Sequence, residues 1–218
     1  MKVIAANGSP RKNWNTATLN KAIEGAKSVG AEAELFHLYD LNFKGCTSCF
    51  LCKRKGSKNN GICSMKDELT DCLTKISKCD VLFLGCPIYI GAITGVMHSF
   101  LERLLFAALA YDVGHSSTFL GESSSNAPEE RAKSQNYQAI LQFNEMGLKR
   151  LHGTSEYLVS YNTYQFDDYS KYDATMFDER AKARYRQNIS QRNAKRRLIL
   201  EQNLQDRQGN SFECSIDG

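Results

Sequence analysis

The sequence predicts a doubly wound α/β fold: a parallel five-stranded sheet with helices on both faces and a helical extension at the C-terminus. Two observations carry this. Apolar runs of strand length alternate with segments of helical period along most of the chain, and a strand–helix–strand order implies parallel pairing with right-handed crossovers. The first junction, Gly8-Ser9-Pro10-Arg11-Lys12-Asn13-Trp14-Asn15-Thr16-Ala17, reads as a loop that turns a strand directly into a helix.

Each element follows in order. Lys2 to Ala6 is the opening strand, and Leu19, Ile23 and Ala26 mark one face of the first helix, which is expected to end at Gly30. Leu35, Phe36 and Leu38 lie in a second strand within Ala33 to Tyr39. Phe43 to Cys63 lacks hydrophobic period and reads as a long loop held by something other than a core. Leu69, Cys72, Leu73 and Ile76 then form a helical stripe, and Asp80 to Gly85 is a strand covered on both faces. Val96, Met97, Phe100, Leu101, Leu104 and Leu105 mark the next helix. A fourth strand is marked only by Thr118-Phe119-Leu120 in a polar, serine-rich stretch. Tyr137 to Leu151 is helical, and Glu156 to Tyr164 has the aromatic and β-branched content of a last strand. The charged tail from about Asp178 to Gln205 contains no Gly or Pro and reads as helix. One domain is expected, residues 1–177 forming the sheet unit and 178–218 its helical extension.

Composition narrows the function. A net charge of +4 over 218 residues favours no particular partner. The basic run from Arg180 to Arg207 is read as a solvated helix face, so no nucleic acid is expected. The apolar opening is shorter than a signal-peptide core, and no run approaches the ~20 apolar residues of a membrane span. The expected setting is the cytoplasm, without membrane attachment. Thiols stay reduced there, so the eight cysteines are not a disulfide framework.

The first loop matches neither a G-x-x-x-x-G-K-[ST] loop nor a G-x-G-x-x-G fingerprint. It offers Ser9, Asn15 and Thr16 as neutral donors and Arg11 as a charged one, together with unpaired amides at a helix start. That set suits a phosphate monoester. Gly85-Cys86-Pro87-Ile88-Tyr89-Ile90-Gly91-Ala92 follows another strand, and in open parallel sheets both loops face the crevice at the switch in strand order. Pro87 stiffens a turn there, Tyr89 offers an aromatic edge, and Gly91 permits close approach of backbone to a flat ring.

Taken together, Gly8-Ser9-Pro10-Arg11 with Asn15-Thr16, Cys46-Thr47-Ser48-Cys49-Phe50-Leu51-Cys52, Gly61-Ile62-Cys63 with Asp67-Glu68, Pro87-Ile88-Tyr89, and Thr94-Gly95-Val96-Met97 through Leu101-Glu102-Arg103 resemble one family. It is the flavodoxin-like NADPH-dependent FMN reductase family, including its iron-sulfur flavoprotein branch. Tyr161 to Tyr169 resembles longer members. The resemblance implies FMN, its phosphate held by Ser9, Arg11, Asn15, Thr16 and Ala17, and its isoalloxazine set against Pro87, Ile88, Tyr89, Ile90 and Gly91, with a third contact near Gly121 to Asn126. It also implies NAD(P)H as co-substrate, a small-molecule electron acceptor, and a homodimer or homotetramer. Two departures stand out: Trp14 replaces a usually small residue, and the fourth strand is barely marked.

Cys46, Cys49 and Cys52 are spaced by two residues, and Cys63 follows after ten. Four thiolates so placed suit a [4Fe–4S] cluster. Zinc lacks its usual paired spacing, the long gap before Cys63 counts against either metal site, and free thiols are the reading given as much weight as both together. Cys72, Cys79 and Cys86 read as small core residues, and the four histidines show no metal or triad spacing. With FMN bound, the flavin N5 carries the chemistry and no catalytic side chain is required. The alternatives are an iron-sulfur flavoprotein electron carrier and, less favoured, a flavodoxin-like module that binds partners without a cofactor.

Overall fold

A computed structural model describes residues 1–14, 16, 18–54, 61–109, 118–124, 128–152, 155–185 and 187. Its central sheet has the order β2-β1-β3-β5-β6, built from β1 (Lys2–Asn7), β2 (Glu32–His37), β3 (Val81–Tyr89), β5 (Thr118–Ser124) and β6 (Ser155–Ser160). These five strands pair in parallel, and a two-residue β4 (Ala92–Ile93) folds back antiparallel onto β3. The chain runs outward from β1 to β2 on one side and from β3 to β6 on the other, so the switch point lies between β1 and β3.

Side-chain alternation along β1 explains why both faces are covered. Val3 and Ala5 join Leu19, Ile23 and Ala26 of α1 (Thr18–Ser28), together with Val81 and Phe83. Ile4 and Ala6 point the other way. They meet Leu69, Cys72 and Leu73 of α2 (Leu69–Ile76) and Met97, Phe100 and Leu101 of α3 (Gly95–Ala108). α4 (Glu129–Ser134) and α5 (Tyr137–His152) complete the helical layers, and Leu148 of α5 enters the α3 side of the core.

Three expectations are refined. β3 does not stop at Gly85 but continues to Tyr89, with Pro87 opposite Ser124 of β5, so the segment expected to be a turn is mostly strand. β5 is a full seven-residue strand because its backbone is laddered between β3 and β6, although its sequence turns polar after Leu120. β6 ends at Ser160 rather than Tyr164, since the following carbonyls are claimed by side chains instead of a neighbouring strand. Of the expected C-terminal helix, residues 179–185 are helical, and 188–218 lie outside the described residues.

Candidate cofactor site and cysteine pocket

The loop after β1 is fixed from below. The amide of Gly8 donates to the Gly85 carbonyl at 2.7 Å, and Thr94 Oγ1 donates to the Gly8 carbonyl at 2.8 Å. Thr94 also caps α3 by accepting from the Met97 amide at 3.3 Å. A β-carbon on Gly8 would stand 2.9 Å from Met97 Cβ and 3.2 Å from Cys86 Cβ, which is why the position carries none. The loop start also closes on itself. Ser9 N donates to Asn7 Oδ1 at 2.9 Å, and Arg11 N donates to Ser9 Oγ at 3.1 Å.

The expectation of unpaired amides is therefore corrected for Gly8, Ser9 and Arg11, whose N–H groups bond within the protein. The Ser9 hydroxyl is engaged in the same turn, and Arg11 Nη1 donates to the Gln165 carbonyl at 2.6 Å. Thr16 differs. It is 4 % exposed, and its Oγ1 has no hydrogen-bond partner among the described residues. An orphaned buried hydroxyl costs about 1–3 kcal/mol, and a phosphate oxygen seated above α1 removes that cost. On this observation the loop fits a phosphate group. Asn15 and Ala17 lie outside the described residues.

Beside this loop, β3 and β4 form a tight hairpin. Ile88 pairs with Ile93 and Tyr89 with Ala92, leaving Ile90 and Gly91 as a two-residue turn with φ of 50° and 76°. Two positive φ values match the twist of a type I′ hairpin turn. Glycine accepts this, whereas a β-branched residue is strained there. Ile90 is nonetheless fully exposed, and Tyr89 is 45 % exposed next to it. The predicted ring-contact residues Pro87 to Gly91 thus form a strand end and its turn, at the carboxyl edge of the sheet near the switch point. Of the third predicted contact, near Gly121 to Asn126, the end of β5 is described and 125–127 are not.

The cysteine loop is organised differently. Cys46, Cys49, Cys52 and Cys63 line one pocket with Phe50 and Phe106, although residues 55–60 between them are outside the described set. Among the described residues no three His, Cys, Asp or Glu side chains group closely enough for a single metal ion. A tetranuclear cluster takes each thiolate on a different iron and so spreads its ligands around a wider cavity. Four thiolates are the donor set that such a cluster takes. Burial raises the Cys52 thiol above its ordinary range, opposed in part by Lys53. Cys72 and Cys79 are pushed up to about 12 by burial, consistent with inert core thiols.

Arg103 holds the loop together. It is 1 % exposed and clamps Asp67 with two bonds, Nη1 to Oδ2 at 2.8 Å and Nη2 to Oδ1 at 3.2 Å. The same guanidinium donates to the Lys44 carbonyl at 2.9 Å and, through Nε, to Cys63 Sγ at 2.8 Å. Sequence reasoning assigns no role to either Arg103 or Thr94. The signals were a charge among the buried positions Phe100, Leu101, Leu104 and Ala107, and a threonine immediately before a helix.

Known proteins resemble this chain in sequence and in fold. An iron-sulfur flavoprotein of Archaeoglobus fulgidus is 35 % identical over 109 residues, 50 % of this chain and 51 % of that protein. Another, from Methanocaldococcus jannaschii, is 32 % identical over 104 residues, 47 % of this chain and 51 % of that one. The chain thus spans about half the length of the curated relatives it matches. Among solved structures, the NAD(P)H:quinone oxidoreductase from Methanothermobacter marburgensis superposes with a TM-score of 0.65 at 16 % identity, covering 94 % of this chain and 97 % of that one. The FMN-dependent NADH-azoreductase from Bacillus anthracis str. Ames Ancestor, solved with FMN, gives 0.62 at 11 % identity, covering 92 % and 100 %. These two establish the flavodoxin-like fold. The family model for NADPH-dependent FMN reductase matches residues 1–127, more than half of the sequence, and the chain belongs to that family.

Proposed function

We propose that this protein is an FMN-dependent NAD(P)H oxidoreductase that passes reducing equivalents from a nicotinamide through bound FMN to a quinone, a flavin or a similar small acceptor. The observation that carries the reading is the buried Thr16 hydroxyl, without a partner among the described residues, at the start of α1 in a chain of the FMN reductase family. FMN, when bound, supplies the hydride and electron chemistry. The protein's part is placement. Thr16 would donate to the phosphate, Thr94 and Gly85 fix the loop that would carry it, and the Pro87–Gly91 hairpin would lie against the ring. In this proposal Ser9 shapes the turn through its bonds to Asn7 and Arg11, and Arg11, through guanidinium N–H groups other than the one on Gln165, completes the phosphate site with Asn15 and Ala17.

The proposed catalytic unit is residues 1–177, with 178–218 as a helical extension, acting as a homodimer or homotetramer in the cytoplasm. No described helix is long and apolar enough to cross a membrane. The test is direct: chain reconstituted with FMN and freed of excess is scanned for a bound flavin band and assayed for NAD(P)H oxidation with a quinone. Both are expected. Absence of both overturns the reading.

A second reading is favoured by the four cysteines lining one pocket and by the kind of protein the curated relatives are named as. In it, Cys46, Cys49, Cys52 and Cys63 hold a [4Fe–4S] cluster that exchanges single electrons beside the flavin. Arg103 would steady the Cys63 sulfur through its 2.8 Å bond. Iron and acid-labile sulfide near four per chain after anaerobic purification support it, and their absence leaves the thiols free.

A further inference from the structure

Beyond β6 the chain is held by three consecutive carbonyls, each taken by a side chain. Lys182 Nζ donates to Thr163 O at 2.9 Å, Trp14 Nε1 to Tyr164 O at 3.0 Å, and Arg11 Nη1 to Gln165 O at 2.6 Å. Two of these donors belong to the loop after β1. The Arg11 guanidinium also lies 5.3 Å from the centre of the Trp14 ring, so the pair acts as one face. The held segment is itself stiff. Gln165 N donates to the Tyr169 hydroxyl at 2.9 Å, and Phe166 stacks on Tyr172 at 4.1 Å while meeting Tyr169 edge-on at 5.3 Å. Lys182, which holds Thr163, is 1 % exposed, with its ammonium 4.9 Å from the centre of the Phe177 ring. Burial lowers its pKa to about 8, and its described bond to Thr163 is made from within the protein.

An anion loop binds well only if its donors are fixed before the ligand arrives, because ordering them on binding subtracts from affinity. From below, Gly8 is fixed by Gly85 and Thr94; from above, the contacts of Arg11 and Trp14 are with residues 164 and 165. We propose that residues 163–172 form a strap that pre-organises the phosphate loop, and that Trp14 is its latch, a positioning residue for the phosphate group of FMN. The proposal rests on the FMN reading above. It also accounts for the large residue at position 14, because the indole N–H spans to a backbone carbonyl that a small side chain would not reach.

The experiment compares FMN with riboflavin, which has the same ring and no phosphate, by flavin fluorescence titration of the full chain, W14F and K182M. Trp14→Phe keeps an aromatic ring and removes one N–H; Lys182→Met cuts the strap from its other side. In both variants the FMN dissociation constant is expected to rise about 5–10-fold, the equivalent of one neutral hydrogen bond, while that of riboflavin stays within about twofold. Amide exchange at residues 163–166 of the unaltered chain is expected to slow with FMN and not with riboflavin. Equal weakening of both ligands, no weakening of either, or unchanged exchange at 163–166 under saturating FMN overturns the strap. An unaltered chain that binds FMN no tighter than riboflavin overturns the phosphate reading itself, and that result is read without any variant.

Discussion

The proposed phosphate loop and the cysteine loop lie on the same molecule but are held in different ways. The first follows β1 beside β3 and is fixed by many small contacts: Gly8 to Gly85, Thr94 to Gly8, Ser9 to Asn7, and Trp14 and Arg11 to residues 164 and 165. In the second, one side chain, Arg103, reaches Lys44, Cys63 and Asp67 at once. With distributed support, the loss of one contact costs one hydrogen bond, roughly 0.5–1.5 kcal/mol. The cysteine loop has lesser ties, Cys46 N to Glu102 Oε2 at 3.0 Å and Lys53 Nζ to the Ala107 carbonyl at 3.0 Å, but its buried ion costs most to lose, because removing it leaves the Asp67 carboxylate without a counter-charge.

The largest effect should therefore come from the cysteine side. Arg103→Met is expected to lower unfolding free energy by about 3–5 kcal/mol and to raise the alkylation rate of Cys63, read by denaturant titration and thiol labelling. FMN affinity should change far less if the two supports are separate; a matching loss of FMN would merge them. On the phosphate side, Gly8→Ala forces a β-carbon against Met97 and Cys86, and about 1–3 kcal/mol of destabilisation is expected in thermal melts. Thr16→Val sharpens the contrast through its sign. FMN should bind about 5–10-fold more weakly by titration, while the cofactor-free protein becomes no less stable, since a buried hydroxyl without a described partner is exchanged for a methyl group.

The smallest effect is a pH dependence. His37 has its pKa lowered by burial and by Lys12, against the pull of Asp40, and its Nδ1 lies 3.3 Å from the Asn7 amide that orients Ser9. The folded state resists protonating this ring more than the unfolded chain does. Stability should fall slightly as pH drops from the ordinary histidine value of 6.5 toward the lowered one, and level off below it. His37→Gln should abolish the difference between denaturation curves taken on either side of that window.

How much of this was legible in the sequence follows from the kind of signal each part leaves. β1, α1 and α3 announce themselves through period, because burying one face demands apolar residues at fixed intervals. β5 does not, since a ladder between two neighbours needs only backbone, and its Gly-Glu-Ser-Ser end carries no apolar code. The extension of β3 through Pro87 was hidden for a similar reason: proline argued for a turn, while the strand's ladder to β5 continues to that residue. Ser9 and Arg11 stand out in the loop after β1 by type alone, yet sequence does not reveal that a donor's nearest acceptor lies 154 positions away, as Gln165 does from Arg11. Arg103 left a trace, a charge on an apolar stripe, whose partners only the fold identifies.

α3 carries the pin of both sites. Thr94, at its cap, ties down Gly8, and Arg103, two and a half turns onward, ties down the cysteine loop. At 1.5 Å per residue the two anchors stand roughly 13 Å apart along one rod. The spacing between the proposed phosphate loop and the thiol pocket is thereby ruled off by helix pitch.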